Sequence, residues 1–239
     1  MIESLPYYIP ITFILTTALT GWLLLQAMRK SDAESTRKKT IPAAIAFTGW
    51  LALQGMLAWK GVYSQNLDSL PPKIMLLGVL PCLLVILVLF VTTAGRKFMD
   101  DLPLTSLTYI HVVRIPVEIV LFWLYLQKAI PQLMTFEGRN FDILAGITAL
   151  LVAYFGITKG KAGRHAILVW NIICLGLLLN IVLHAVFSAP FPFQQLAFDQ
   201  PNRAILYFPF CWLPAFIVPV VLFAHLAAMR KLLRKKNNS

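Results

Sequence analysis

One long apolar stretch of the sequence carries three residues that can hold charge or move protons: His111, Arg114 and Glu118. An α-helix turns about 100° per residue, so offsets of three and seven from His111 place all three on one helical face. Arg114 and Glu118 are four residues apart and are therefore predicted to form an ion pair across one turn. A charge at membrane depth costs about 2.5–3.5 kcal/mol on insertion scales, so this face is predicted to point towards neighbouring helices rather than lipid.

Pro116 lies between the two charged residues. Because proline has no N–H, the carbonyl of Val112, four residues earlier, is free to bond another group. A bent helix with an Arg–Glu pair at its bend suits a ligand-binding site. The alternative is an internal ion pair that holds the helices together and binds nothing.

A second polar group lies near the end of a later apolar stretch, where Asn180 and His184 are four residues apart and share a helical face. Glu118 lies in the corresponding half of its own stretch, so we expect Asn180 and His184 to form a hydrogen-bonding rim of the same pocket. The alternative is a solvated loop region with one interfacial histidine. The connection before the fifth stretch adds four further polar residues: Glu137, Arg139, Asn140 and Asp142.

His111, His165 and His225 lie on or beside three different apolar stretches. Imidazoles at similar depth could bind a metal ion or haem. No two of these histidines have the paired spacing of a metal motif, so we expect no cofactor. The cysteines at positions 82, 174 and 211 are isolated within apolar stretches, which is typical of small buried side chains.

The elements that must position these residues are membrane-spanning helices. Of the 239 residues, 59% are hydrophobic and 13% charged, whereas soluble domains contain roughly 25% charged residues. A helix needs about 20 apolar residues to cross a bilayer core of roughly 30 Å. We therefore predict an all-α membrane helix bundle, a single transmembrane domain over residues 1–239. The predicted spans lie within Ser4–Met28, Thr40–Trp59, Ile74–Gly95, Leu102–Gln127, Ile143–Thr158, Ala166–Phe198 and Ala204–Met229.

Two of these stretches differ from the expected length. Ile143–Thr158 is short, whereas Ala166–Phe198 is too long for one span. Ser188, Pro190 and Pro192 interrupt the long stretch, so its helix is predicted to give way to a loop after His184.

The net charge of +11 is distributed asymmetrically between the connections. Most of the 21 lysine and arginine residues fall in alternate connections and in the C-terminal tail, whereas the opposite connections hold only Lys60, Lys73, Lys128, Arg139 and Arg203. Basic connections stay in the cytoplasm. The N-terminus is therefore predicted outside and the C-terminus in the cytoplasm of a plasma membrane or bacterial inner membrane. This alternation between connections accounts for the high positive net charge, so we expect no nucleic-acid partner.

These features predict a protein that binds, transports or senses a small amphiphilic or anionic molecule. Arg114 would pair with the anion, and Glu118 would be its counter-charge or a proton carrier. Membrane lipids and the small molecule are the expected partners, and a homo-oligomer is left open. One alternative is an intramembrane enzyme for a lipid or isoprenoid-like substrate, with Glu118 and a histidine as acid and base. Another is an accessory structural subunit.

The charge asymmetry generates a topological prediction. A reporter fused after Ser239 should be cytoplasmic, and a reporter inserted near Asp68 should be external, because five of the predicted spans, an odd number, lie between the two positions. Accessibility labelling of the two fusions in intact cells measures this. Finding both reporters on one side of the membrane contradicts the span assignment.

Overall fold

The computed structural model describes residues 5–234, which form helices with no β-strand. The predicted start of the first span at Ser4 and the tail residues Lys235, Lys236 and Ser239 lie outside this range. Within it, the α-helices are α1 Tyr8–Arg29, α2 Glu34–Arg37, α3 Thr40–Trp59, α4 Leu80–Val91, α5 Thr93–Asp101, α6 Leu104–Ile110, α7 Arg114–Leu126, α8 Asp142–Leu151, α9 Arg164–Phe187 and α10 Val218–Leu233.

Wider π-helical segments extend three of these helices. Met75–Val79 precedes α4, Val152–Thr158 continues α8, and Leu213–Ile217 precedes α10. A 3₁₀ turn, His111–Val113, joins α6 to α7. This turn contains Val112, whose carbonyl Pro116 cannot bond, so the change in helix type falls where the proline was predicted to disturb the helix.

Five helical segments are long and apolar enough to cross a membrane: Tyr8–Arg29, Glu34–Trp59, Leu104–Leu126, Arg164–Phe187 and Leu213–Leu233. A sixth is present if Met75–Val91 is counted together with α5, to which it is joined by a bend of 92°. Asp142–Thr158 is apolar but shorter, as the sequence indicated for the fifth stretch.

The predicted helix boundaries were wrong mainly around the last span. The helix predicted within Ala204–Met229 begins at Leu213 and ends at Leu233. Pro209 accounts for the late start, because a proline disfavours helical conformation in the residue before it. The preceding helix ends at Phe187, close to the predicted change after His184.

The central helices are α6, α7 and α10. The most apolar 18-residue segment is 56% buried in Leu104–Leu126 and 61% buried in Leu213–Leu233, but only 17% buried in Glu34–Trp59. Peripheral helices therefore present apolar side chains outwards, whereas the charged face of α7 lies where several helices meet. This arrangement is needed to keep a charged side chain away from lipid.

One carbonyl released by a proline ties α10 to α3. Pro219 cannot donate to the Ala215 carbonyl four residues earlier. The Trp50 indole Nε1–H donates to that oxygen at 2.8 Å, and the Cys82 thiol does so at 3.1 Å. The indole and the thiol therefore replace the backbone N–H that would bind the Ala215 carbonyl in a regular helix.

A second released carbonyl ties α4 to α3. Pro81 cannot bond the Leu77 carbonyl, and Gln54 Nε2 donates to that oxygen at 3.0 Å. The Tyr63 hydroxyl donates to Gln54 Oε1. One fully buried amide on α3 thus joins a π-helical segment to the connection that follows α3.

The corner between α4 and α5 is closed by a helix cap. Thr92 Oγ1 accepts a hydrogen bond from the Gly95 backbone N–H at 3.1 Å. A Cβ atom on Gly95 would lie 2.4 Å from the Leu89 Cα atom, so the chain can turn this tightly only with glycine here.

Contacts at one end of the helices bring together the segments that carry most basic residues. Arg230 of α10 and Arg234, the residue after α10, bind the Asp100 carboxylate of α5 at 3.0 and 2.8 Å. Thr36 in the connection after α1 donates to the Asp101 carboxylate at 2.9 Å. Arg164 at the start of α9 donates to the Leu232 carbonyl. We call this the basic end: residues 29–39, α5, residues 159–164 and the end of α10.

The amide of Gln54 generates a stability prediction. Gln54→Met should leave the Leu77 carbonyl and the Tyr63 hydroxyl without partners, which typically costs about 1–3 kcal/mol for each buried group. Denaturant titration in detergent should therefore show a clear loss of unfolding free energy. Gln65→Met is the matched control, because Gln65 is exposed and its side chain forms no hydrogen bond within residues 5–234. Equal stability of the two variants contradicts the role given to Gln54.

Candidate functional site

The strongest polar contact inside the helices is an ion pair between α7 and α8. Arg114 Nε donates to Asp142 Oδ2 at 2.7 Å, with both side chains almost fully buried. The predicted pair of Arg114 with Glu118 is therefore wrong. The predicted burial of this helical face is confirmed, because His111, Arg114 and Glu118 are each at most 2% exposed.

Close packing of two helices explains why Asp142 can reach Arg114. Gly146 lies one turn after Asp142 on α8, and a Cβ atom there would lie 2.8 Å from Ile115 Cγ1. The missing side chain lets the start of α8 approach the start of α7. The two charges therefore meet at helix starts that are far apart in sequence.

Arg114 uses its other nitrogens on two more helices. Nη2 donates to the Cys174 carbonyl of α9 at 3.0 Å, and Nη1 lies 3.4 Å from Nε2 of His225 on α10. A guanidinium holds five N–H donors in a rigid fork. Its contacts here leave no nitrogen of Arg114 without a partner.

Glu118 is held by a residue of the connection between α7 and α8. Asn140 Nδ2 donates to Glu118 Oε1 at 2.5 Å and to the Met134 carbonyl at 3.0 Å. Asn140 Oδ1 accepts the Asp142 backbone N–H at 3.0 Å. The fully buried Asn140 side chain therefore ties the two carboxyl-bearing residues together.

Two of the three predicted inner histidines meet. The His111 and His225 rings stack with centroids 3.8 Å apart, and His225 Nδ1 lies 3.0 Å from Asn171 Oδ1. His165 is exposed at the start of α9 and does not join them. The described residues contain no group of three or more His, Cys, Asp or Glu side chains able to hold a metal ion.

The stacked histidines and Glu118 are the residues that the enzyme alternative would use as acid and base. Within the described part of the chain, Glu118 forms no hydrogen bond to a histidine, and neither ring nitrogen of His111 has a partner. Arg114 lies between His225 and the Asp142 carboxylate.

The predicted rim residues lie beside this cluster and contact it through one connection. Asn180 Nδ2 donates to the Arg139 carbonyl at 2.9 Å, and His184 Nδ1 lies 2.8 Å from the Asn180 carbonyl. Arg139 directly precedes Asn140. Asn180 therefore supports the connection that holds Glu118, whereas His184 binds only its own helix, and neither residue lines the neighbouring cavity.

A cavity of about 530 Å³ lies between the π-helical start of α4, α7, α9 and the π-helical start of α10. Its lining side chains are apolar except for Glu118 and Asp142, and include Leu121, Leu178 and Leu213. Glu118 Oε2 and Asp142 Oδ1 have no hydrogen-bond partner among residues 5–234. The cavity wall is therefore apolar apart from two carboxyl groups, each of which has one oxygen that is buried and unpaired.

The model of a protein family described as domain of unknown function (DUF8737) matches residues 71–233. This chain belongs to the DUF8737 family. No curated protein and no solved structure matches it. Every residue that lines the 530 Å³ cavity falls inside the DUF8737 match, whereas α1 and α3 fall outside it. The cavity is thus built entirely from the family region.

Three residues of the DUF8737 polar cluster were missed as site residues: Asn140, Asp142 and Asn171. The sequence placed Asn140 and Asp142 among the polar residues of a connection. The available signal was an acidic residue immediately before the apolar stretch that starts at Ile143, which favours the first turn of a helix. Asn171 lies within an apolar stretch, and its burial could have been argued as for Arg114.

The ion pair of the DUF8737 chain can be tested against the pair predicted from sequence. Arg114→Leu and Asp142→Leu should each lower the unfolding free energy by roughly 3–5 kcal/mol, because each leaves one buried charge unpaired. The double variant R114L/D142L should recover much of this loss. Unfolding in detergent is the measurement.

The double variant R114L/E118L is the matched control, because Glu118 is equally buried but is not bound to Arg114. It should remain as unstable as R114L alone or become more so. Recovery in R114L/E118L, without recovery in R114L/D142L, contradicts the structural pairing.

Proposed function

We propose that this protein crosses the membrane seven times and binds a small amphiphilic molecule in the cavity lined by Glu118 and Asp142. The observation that carries the proposal is the combination of about 530 Å³ of apolar space with two buried carboxyl groups that each keep one oxygen free. Ligand pockets are typically mostly apolar, with a few polar groups that fix orientation. Binding is the step that transport and sensing share.

The contacts of Arg114 favour an amphiphilic ligand over an anionic one. Its nitrogens already bind Asp142, Cys174 and His225, and it does not line the cavity. An anion would meet carboxylate oxygens rather than a free guanidinium, and like charges repel. Arg114 therefore acts as the anchor of Asp142.

Both π-helical segments beside the cavity also support a binding role. Met75–Val79 and Leu213–Ile217 contribute lining residues. Such segments are rare and occur frequently at functional sites, because the extra residue widens the helix and redirects side chains.

The contacts at the basic end support seven crossings with the C-terminus in the cytoplasm. The ends of α1 and α10, the start of α9 and α5 lie at the same end of the helices. This geometry favours an arrangement in which Met75–Val91 and Asp142–Thr158 each run across the bundle. Basic segments that lie together on one side favour the cytoplasm as that side.

A photoreactive alkanol with a diazirine in its chain tests the binding site. Ultraviolet cross-linking in nanodiscs, followed by peptide mass spectrometry, should label peptides that contain Leu121, Leu178 or Leu213. Ala185→Phe should reduce this labelling several-fold, because Ala185 lines the cavity and the larger ring fills it.

Ala166→Phe is the matched control on the same helix, since Ala166 is exposed and far from the cavity lining. It should leave the labelling unchanged. Labelling spread over the outer helix faces, and equal in both variants, contradicts a binding site here.

A further inference from the structure

We infer that the molecule bound in this cavity has a primary ammonium head group on an apolar tail, held between Glu118 Oε2 and Asp142 Oδ1. The inference rests on the proposed function and adds the chemical class of the ligand. Three features of the site carry it: the charge around the cavity, the number of free acceptors and the shape of the apolar lining.

The ionisable groups of the site are two carboxyl groups and one guanidinium. Two carboxyl groups, those of Glu118 and Asp142, face the single guanidinium of Arg114. Among the described residues, no other lysine or arginine forms an ion pair with either carboxyl group. A buried carboxyl group without a counter-charge avoids the cost of ionisation by keeping its proton. An amine that takes this proton becomes the missing counter-charge, whereas an alcohol cannot take it.

The free atoms of the site are both acceptors. The Asn140 amide group donates to Glu118 Oε1 and to the Met134 carbonyl, so it has no donor left for a ligand. Asp142 Oδ2 is occupied by Arg114. Both remaining oxygens are buried in the cavity wall, so a head group contacts them once the carboxyl side chains turn towards the cavity. A primary ammonium group has three N–H donors and can then bind both oxygens, whereas a hydroxyl group has one donor. A carboxylate head group would add a further negative charge.

The lining favours an apolar tail that enters from the side of the membrane. Leu76, Leu80 and Leu83 line the cavity and are also more than 40% exposed on the outer face of the helices. The inner wall is formed by buried residues such as Leu178. An alkyl chain can therefore extend from the carboxyl groups past these leucines into the hydrocarbon region.

Three photoreactive probes with the same alkyl chain test the head group: an amine, an alcohol and a carboxylate. In the parent protein the amine should label the cavity at about tenfold lower concentration than the alcohol, because a charge-assisted hydrogen bond replaces a neutral one. The carboxylate should label the cavity least. Glu118→Gln should remove most of the advantage of the amine over the alcohol. Glu137→Gln is the matched control, because Glu137 is exposed on the same connection as Asn140.

The outcomes separate the two proposals. If the amine and the alcohol label the cavity equally in the parent protein, or if Glu118→Gln weakens both alike, the ammonium inference is overturned and the binding site stands. If no probe gives labelling that Ala185→Phe reduces, the proposed function itself fails. Alcohol labelling that remains sensitive to Ala185→Phe in the Glu118→Gln background verifies that this variant keeps its cavity.

Discussion

A guanidinium group cannot be left unpaired in an apolar interior, and the centre of this molecule is arranged around that constraint. Arg114 on α7 binds Asp142 of α8, the Cys174 carbonyl of α9 and His225 of α10. One side chain thus contacts three other helices. An isolated charge in a low-dielectric interior is far more costly than a lost apolar contact. A shift of one of these four helices relative to the others would therefore break a contact of Arg114 and raise the free energy of the folded protein.

The cavity follows from the same contacts. Asp142 gives one oxygen to Arg114, and its backbone N–H binds Asn140, which in turn binds Glu118. Each carboxyl group is therefore fixed through one oxygen, and the other oxygen is left without a protein partner. The bonds that stabilise the ion pair therefore also determine which carboxyl oxygens have no protein partner. The polar cluster can therefore stabilise the fold and also supply polar groups to the proposed binding site.

Hydrophobicity predicted the helices well, because the cost of placing polar backbone or charge in lipid acts on each segment separately. The burial of Arg114 and Glu118 was predictable for the same reason. The partner of Arg114 was not, because Asp142 reaches it through a close helix contact at Gly146 that no local spacing reveals. Likewise, the rule that a proline frees the carbonyl four residues earlier applies to Pro81 and Pro219, but only the packing of α3 identifies Gln54 and Trp50 as the donors.

Two short apolar helices, one of which ends at the corner at Thr92, have a consequence for the bilayer of the proposed arrangement. In the proposed seven-span arrangement, Met75–Val91 and Asp142–Thr158 each cross with 17 residues, or about 25 Å at the usual helical rise. A hydrocarbon core of roughly 30 Å is thicker than that. Lipids beside these two helices must compress, and the resulting hydrophobic mismatch favours thin membranes and short acyl chains around the protein.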